Sequence, residues 1–146
     1  MIKAKEYFTK EQQDLIVDAV KQAESRTSGE IRVFIEDECE GNALDRAAFI
    51  FETLEIHKTK ERNGVLFYLA LYHRKFAILG DVGINMKVEK DFWDEIKFEM
   101  IRHFKVHDFG TGLAKGIRMA GHALKTYFPH QKDDVNELPD EIVFGK

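Results

Sequence analysis

Residues 62–71 read Arg-Asn-Gly-Val-Leu-Phe-Tyr-Leu-Ala-Leu, and residues 75–84 read Lys-Phe-Ala-Ile-Leu-Gly-Asp-Val-Gly-Ile. Two apolar runs joined by a short polar turn at residues 72–74 are typical of a β-hairpin. The first run is almost wholly apolar, as expected of a central strand that is covered on both faces. The second run ends in Gly-Asp-x-Gly, which places the carboxylate of Asp81 at the edge of the sheet. An aspartate held in a glycine-rich turn indicates a cation or phosphate site.

The hairpin lies between segments with helical and strand periodicity. A helix is predicted from a capping box at Thr9 to about residue 27, followed by a strand over 31–35 and a helix over about 43–58. This strand–helix–strand order predicts parallel strands joined by a right-handed crossover. Two further helices follow Asp91 and Gly110.

Together these elements predict an α/β fold, a three-layer α/β/α sandwich with a central mixed sheet that contains one β-hairpin. We assign residues 1–129 to this domain and residues 130–146 to a polar C-terminal tail, in which residues 142–144 could dock on the body. The predicted buried stripes include Ile101 and Tyr127, and a short extended segment could follow the hairpin at residues 86–88.

Composition limits the class of protein. A chain of 146 residues fits one domain with a sizeable core, and a formal net charge of −4 gives no general attraction for nucleic acid. The single cysteine, Cys39, cannot form an internal disulfide. Since the sequence shows neither a secretory signal nor an apolar run of the roughly 20 residues that span a bilayer, we expect a cytoplasmic protein without a membrane partner.

Four short motifs, in order, resemble those of the TPM domain family, named partly for an acid phosphatase of the thylakoid lumen. They are Thr-Ser-Gly-Glu-Ile-Arg-Val at 27–33, Asn-Gly-Val-Leu at 63–66, Gly-Asp-Val-Gly-Ile at 80–84 and Phe-Gly-Thr-Gly-Leu at 109–113. The resemblance covers roughly residues 8–128. It implies an α/β/α sandwich and a divalent-cation site, often assigned to calcium, made of carboxylates at the sheet edge. It also implies acid phosphatase activity in some members.

Asp81 is the first candidate ligand for such a cation. Glu30 and Asn63 are expected at the same sheet edge, and Asp108, before the last helix, could close over them. Carboxylates with loop carbonyls suit the oxygen shell of calcium, or of magnesium with several waters. The alternative interpretation is that Asp81 forms an Asx-turn and that Asp108 is a helix cap.

Two other groups could hold an ion. The acidic loop at residues 36–45 follows the first strand, but Ala47 stands where an EF-hand loop needs a glutamate, so a solvated loop is the alternative. His103 and His107 have the spacing of zinc ligands on one helix face. The alternative is that they lie in the last helical turn, where the dipole favours positive charge.

Catalytic residues cannot be named from the sequence. The basic run at residues 57–62, which includes Arg62, could hold a phosphate ester beside a metal or could be a solvated helix end. Neither a Gly-x-Ser-x-Gly motif nor a Walker lysine is present.

We therefore expect a TPM-type domain that binds a divalent cation, calcium in preference to magnesium, and that has weak or no catalytic activity. The first alternative is a metal-dependent acid phosphatase that acts on a phosphate ester. The second is an adaptor that binds a protein partner through the acidic loop or the tail at residues 130–146.

Overall fold

The computed structural model describes residues 2–130 and 138–145. In this part of the chain a single sheet is formed by β1 (Glu30–Glu36), β2 (Gly64–Ala70), β3 (Lys75–Gly80) and β4 (Ile142–Phe144), in the order β3-β2-β1-β4. β1 is parallel to β2 and to β4, whereas β2 and β3 form an antiparallel hairpin. The predicted mixed sheet with one hairpin is confirmed.

Helices cover both faces of this sheet. They are α1 (Ala4–Tyr7), α2 (Lys10–Glu24), α3 (Ala43–Thr53), α4 (Val82–Asn85), α5 (Phe92–Phe104) and α6 (Phe109–Tyr127), with a 3₁₀ helix at Ile56–Lys58. One buried cluster joins α2, α5 and α6 to one face, and a second joins α3 and the 3₁₀ helix to the other. The three-layer α/β/α sandwich is therefore confirmed.

β2 is the central strand, and all seven of its residues are buried. Val65, Phe67 and Leu69 face the layer of α2, α5 and α6. Leu66 and Tyr68 face the layer of α3. A continuous apolar run is needed here because neither face of the strand meets water.

α2 and α6 run side by side in the same direction. Gly110 lies against Gln12 at the start of α2, and Gly121 lies against Ala23 near its end, where an added Cβ would be 2.5 Å from the Ala23 side chain. The end of α6 reaches the loop before β1, where the hydroxyl of Thr27 donates to the carbonyl of Leu124 at 3.0 Å. The last turn of α6 therefore lies at the amino-terminal edge of β1, and its first turn lies at the opposite edge.

Some predicted helix features differ from the structure. The helix expected over about 43–58 ends at Thr53, because Glu55 has a left-handed φ of 59° and a 3₁₀ turn follows it. Ile101 and Tyr127 were expected in the core but are 38% and 40% exposed. Residues 82–85 form α4 in place of an extended segment at 86–88, and Met86 is 79% exposed.

The described part of the tail adds a strand to the sheet. β4 pairs with β1 in parallel, from Val33 opposite Ile142 to Ile35 opposite Phe144. The amide of Gly145 then donates to the carbonyl of Ile35 at 2.9 Å. The remainder of the predicted tail, residues 131–137 and 146, lies outside the described residues. Within the described ranges, no helix has both the length and the apolarity that crossing a bilayer requires.

Candidate functional site

Three of the four predicted ligand residues lie at one edge of the sheet, where β1 and β2 begin and β3 ends. Glu30 is paired with Gly64 in the parallel register, and its amide donates to the carbonyl of Asn63 at 3.4 Å. The amide of Asp81 donates to the carbonyl of Gly64 at 2.9 Å. We call this the amino-terminal edge.

Asp81 is held by Arg62 at this edge. The Nε and Nη2 atoms of Arg62 donate to the two carboxylate oxygens at 2.7 and 2.8 Å. Asp81 also caps α4, because its Oδ1 accepts from the amide of Val82 at 2.7 Å. Hydrogen bonding to this carboxylate raises the pKa of Arg62 above its ordinary value. The ion pair uses both carboxylate oxygens of Asp81 and engages Arg62, one of the basic residues that could have held a phosphate ester.

The backbone around Arg62 explains why the residue two positions after Asp81 is a glycine, Gly83. Arg62 has a left-handed φ of 53°, and its carbonyl accepts from the amide of Gly83 at 2.8 Å. A Cβ on Gly83 would lie 2.1 Å from the carbonyl oxygen of Glu61. The Gly-Asp-x-Gly motif therefore joins the end of β3 to the loop before β2, and only glycine permits this approach.

Asn63 carries an unpaired buried oxygen. Its side-chain Nδ2 donates to Ser28 Oγ at 3.2 Å, and Ser28 in turn donates to Glu61 Oε2 at 2.7 Å. Because the serine hydrogen is used on Glu61, the atom of Asn63 that faces Ser28 must be the nitrogen. Asn63 is only 1% exposed, so its Oδ1 atom is buried. This oxygen has no hydrogen-bond partner in the described residues.

Glu30 belongs to a second group at the outer side of β1. In the parallel register it shares a face with Arg32, opposite to the face of Asn63. Glu24, the last residue of α2, accepts from the amide of Ile31 at 2.7 Å and hydrogen-bonds the side chain of Asp140. Burial first, and then the hydrogen bond to Asp140, raise the pKa of Glu24 to about 11.

Arg32 provides the positive charge of this group. Burial lowers its pKa, although Glu24, Asp140 and Glu30 act in the opposite direction. Its Nε atom is buried without a partner among the described residues. In this group, burial and the hydrogen bond to Asp140 favour the protonated form of the Glu24 carboxyl.

Asp108 does not join the other predicted ligands. It caps α6, and its Oδ1 accepts from the amide of Thr111 at 3.2 Å. The first turn of α6 lies beside the start of α2, and α6 has 19 residues. A helix of that length separates its two ends by about 28 Å. Asp108 is therefore at the opposite edge of the sheet.

The acidic loop after β1 is held by protein cations. Arg46 donates to both carboxylate oxygens of Glu36, at 3.0 and 2.9 Å. The ammonium group of Lys75 donates to the carbonyls of Cys39 and Gly41, at 2.8 Å each. These two carbonyls already have a cation between them, so the structure gives this loop a structural role.

The two histidines do not form the predicted pair on a helix. α5 ends at Phe104, and His107 follows it with a left-handed φ of 62°. His103 and His107 therefore do not share a helix face. In residues 2–130 and 138–145, no group of three or more His, Cys, Asp or Glu side chains is arranged to hold a metal ion.

Sequence reasoning missed four residues of the amino-terminal edge. Ser28 lies within the motif at residues 27–33 and Glu61 lies just before the motif at 63–66, but nothing in the sequence indicated that they hydrogen-bond each other. Glu24 and Asp140 are 116 positions apart in the sequence. Only the pairing of β4 with β1 brings them together, and a three-residue strand gives a weak signal.

The fold and the edge motifs define the class of protein. The sequence profile of the TPM domain matches residues 1–123, so this chain belongs to the TPM domain family. No curated protein matches the chain.

The solved structures that are similar to this one include three NMR structures. The NMR structure of the BA42 protein from the psychrophilic bacterium Bizionia argentinensis is 46% identical, with a TM-score of 0.90, and the match covers 99% of this chain and 100% of that chain. The N-terminal domain of a protein from P. gingivalis is 18% identical, with a TM-score of 0.69 over 84% of this chain and 81% of that chain. An N-terminal domain from Corynebacterium glutamicum is 14% identical, with a TM-score of 0.59 over 80% of this chain and 73% of that chain. The last two show likeness of fold alone.

Proposed function

We propose that this TPM domain binds a divalent cation, calcium or magnesium, at the amino-terminal edge of β1 and β2, with weak or no catalytic activity. The ligands would be Oδ1 of Asn63, Oγ of Ser28 and the carboxylate of Glu61. All three are oxygen donors, the type that these hard cations prefer. Loop carbonyls and water would complete the shell.

The unpaired oxygen of Asn63 carries this proposal. Asn63 is 1% exposed, and its Oδ1 has no partner in the described residues. Leaving a buried polar atom without a hydrogen bond costs about 1–3 kcal/mol. A cation would offset that cost. Since the nitrogen of Asn63 faces Ser28 in the metal-free structure, we expect the amide to turn on binding, so that Oδ1 faces the oxygens of Ser28 and Glu61.

Asp81 and Glu30 take different parts in the proposed site. The carboxylate of Asp81 is used by Arg62 and by the cap of α4, so it positions the loop that carries Asn63. Glu30 contributes negative charge from the adjoining strand. With few carboxylates as direct ligands, we expect a dissociation constant for calcium of about 10⁻⁴–10⁻³ M.

Phosphatase activity would use such a cation to polarise a phosphoryl oxygen. Arg62, one of the basic residues that could hold the ester, donates two hydrogen bonds to Asp81 and would first have to leave it. Both turnover and partner binding through the tail stay predictions from the sequence.

The test is thermal unfolding of metal-stripped protein in the presence of calcium and magnesium, for wild type, Glu61→Gln and Asn63→Leu. At about ten times its dissociation constant, a cation stabilises the fold by about 1.4 kcal/mol. We expect Glu61→Gln to weaken this effect, since it removes the charge and keeps an acceptor for Ser28. We expect Asn63→Leu to abolish the effect without loss of metal-free stability, since it also removes the unpaired oxygen.

Glu89→Gln is the matched control, because Glu89 is exposed and lies outside the edge. Its response to calcium should equal that of wild type. An unchanged calcium effect in both Glu61→Gln and Asn63→Leu would refute the proposed site.

A further inference from the structure

The charged side chains of α6 are all basic. Lys115, Arg118, His122 and Lys125 are exposed along it, and α6 contains neither aspartate nor glutamate. The whole chain has a formal net charge of −4. Positive charge is therefore concentrated on this surface against the overall balance of the protein.

Part of this basic surface forms a cleft between the ends of α2 and α6. The cleft has a volume of about 410 Å³. Its polar lining consists of Gln22, Ser25, Arg26, Arg118, His122 and Lys125. Ala23 and Gly121, where a Cβ added to the glycine would lie 2.5 Å from the alanine side chain, also line it. Among the described residues, no carboxylate lines it.

The cations of the cleft have no structural task in the part of the chain that is described. Arg26, Arg118 and Lys125 form no ion pair and donate no side-chain hydrogen bond there. Cations near a helix end often hydrogen-bond the last carbonyls.

Other side chains already donate to one carbonyl near the end of each helix. The carbonyl of Leu124 accepts from Thr27 Oγ1 at 3.0 Å, and that of Gln22 accepts from Ser25 Oγ at 2.7 Å. The cationic side chains are therefore available to a ligand.

We propose that this cleft binds a small molecule that carries two or more phosphate groups. Two guanidinium groups and one ammonium group provide fixed positive charge, and guanidinium groups match phosphate oxygens with two parallel hydrogen bonds. The volume lies within the range of about 300–1,000 Å³ that is usual for small-molecule sites. On the α5 side of α6, Glu95 lines the neighbouring groove with Lys115 and Arg118, so negative charge limits the basic surface there. A compact anion fits this arrangement better than a long polyanion does.

The probe is pyrophosphate, titrated into full-length, metal-free protein at about 0.15 M salt, where unspecific attraction between exposed charges is screened beyond about 8 Å. Binding is measured by calorimetry and by amide shifts in NMR spectra. We expect the largest shifts at Gln22, Ser25 and Gly121. The double variant Arg118→Gln/Lys125→Gln should bind at least about tenfold more weakly, because it removes charge-assisted hydrogen bonds.

The matched control is Lys5→Gln/Lys105→Gln, which removes the same charge from exposed positions near the other end of α6. It should change the affinity by less than about twofold at this salt concentration. Equal weakening in both double variants, or amide shifts away from the cleft, would show general electrostatic attraction and overturn the proposal, as would the absence of binding. This site does not depend on the proposed cation, so calcium binding without pyrophosphate binding would refute the cleft alone.

Discussion

Arg62 and Asp81 join the beginning of β2 to the end of β3 through a two-point ion pair, with contacts of 2.7 and 2.8 Å. Asp81 is almost fully buried, with a side chain that is 6% exposed, whereas half of the Arg62 side chain is exposed. Asp81, the residue with the strongest sequence signal for a metal, therefore fixes with Arg62 the loop that carries Asn63.

Replacement of Asp81 by asparagine should destabilise the protein. The asparagine side chain has a single acceptor oxygen and could accept from only one of the guanidinium nitrogens. Because solvent already screens part of the pair, we expect a loss of about 1–2 kcal/mol. Urea unfolding monitored by circular dichroism would measure it.

Asp14→Asn is the control for this substitution, since the Lys10–Asp14 pair is exposed on both sides. It should change the stability by less than about 0.5 kcal/mol. Equal effects of the two substitutions would contradict a special role for Asp81.

Gly83→Ala should be among the most harmful glycine substitutions at this edge. The new Cβ would lie 2.1 Å from the backbone oxygen of Glu61, and backbone cannot move aside as a flexible side chain can. Overpacking of this kind costs about 1–3 kcal/mol. Gly41→Ala is the comparison, because a Cβ there meets no atom within 4 Å. A melting temperature equal to that of Gly41→Ala would show that the loop before β2 can move away.

Much of the fold could be predicted because its signals are local. The hairpin follows from two apolar runs and a short turn, and the parallel pairing of β1 and β2 follows from the intervening helix. The error at the end of α3 arose from Glu55, which has a left-handed backbone without being glycine. Periodicity carries no information about such a residue.

The site was harder to predict because it depends on the direction of each helix. Strand order placed Glu30, Asn63 and Asp81 at one edge. α5 then crosses the molecule, so α6 starts at the opposite edge and carries Asp108 away. Hydrogen bonds between distant side chains, such as Glu24 with Asp140, had no periodic signature.

Glu24 should make the stability of the metal-free protein depend on pH. Its pKa is about 11 in the folded state against an ordinary value of 4.5, so the folded protein holds a proton that the unfolded chain releases between these limits. The stabilisation that this bound proton gives to the folded state is fully present below about pH 4.5 and is lost as the pH rises toward 11. The free energy of unfolding should therefore decrease from pH 5 to pH 8, by up to about 1.4 kcal/mol per pH unit.

Glu24→Gln tests this origin of the pH dependence. Glutamine retains an acceptor for the amide of Ile31 and a donor for Asp140, as the protonated acid does. We expect the variant to match wild type at pH 5 and to be more stable at pH 8, in denaturant titrations at both values. A difference between wild type and variant that is independent of pH would contradict a shared proton between Glu24 and Asp140.

Thr27 links the last turn of α6 to the loop before β1, and Thr27→Val should weaken that link. Its hydroxyl lies within hydrogen-bond distance of the carbonyls of Leu124 and Phe128, and it accepts from the amide of Gly29 at 3.0 Å. Thr27 is 3% exposed, so valine would keep the shape and leave the buried amide of Gly29 without its acceptor, at a cost of about 1–3 kcal/mol. Thr53→Val removes an exposed hydroxyl bond to the carbonyl of Phe49 and should cost less than about 0.5 kcal/mol. Hydrogen exchange would separate the two effects, since Thr27→Val should speed exchange at residues 124–128 and Thr53→Val should not.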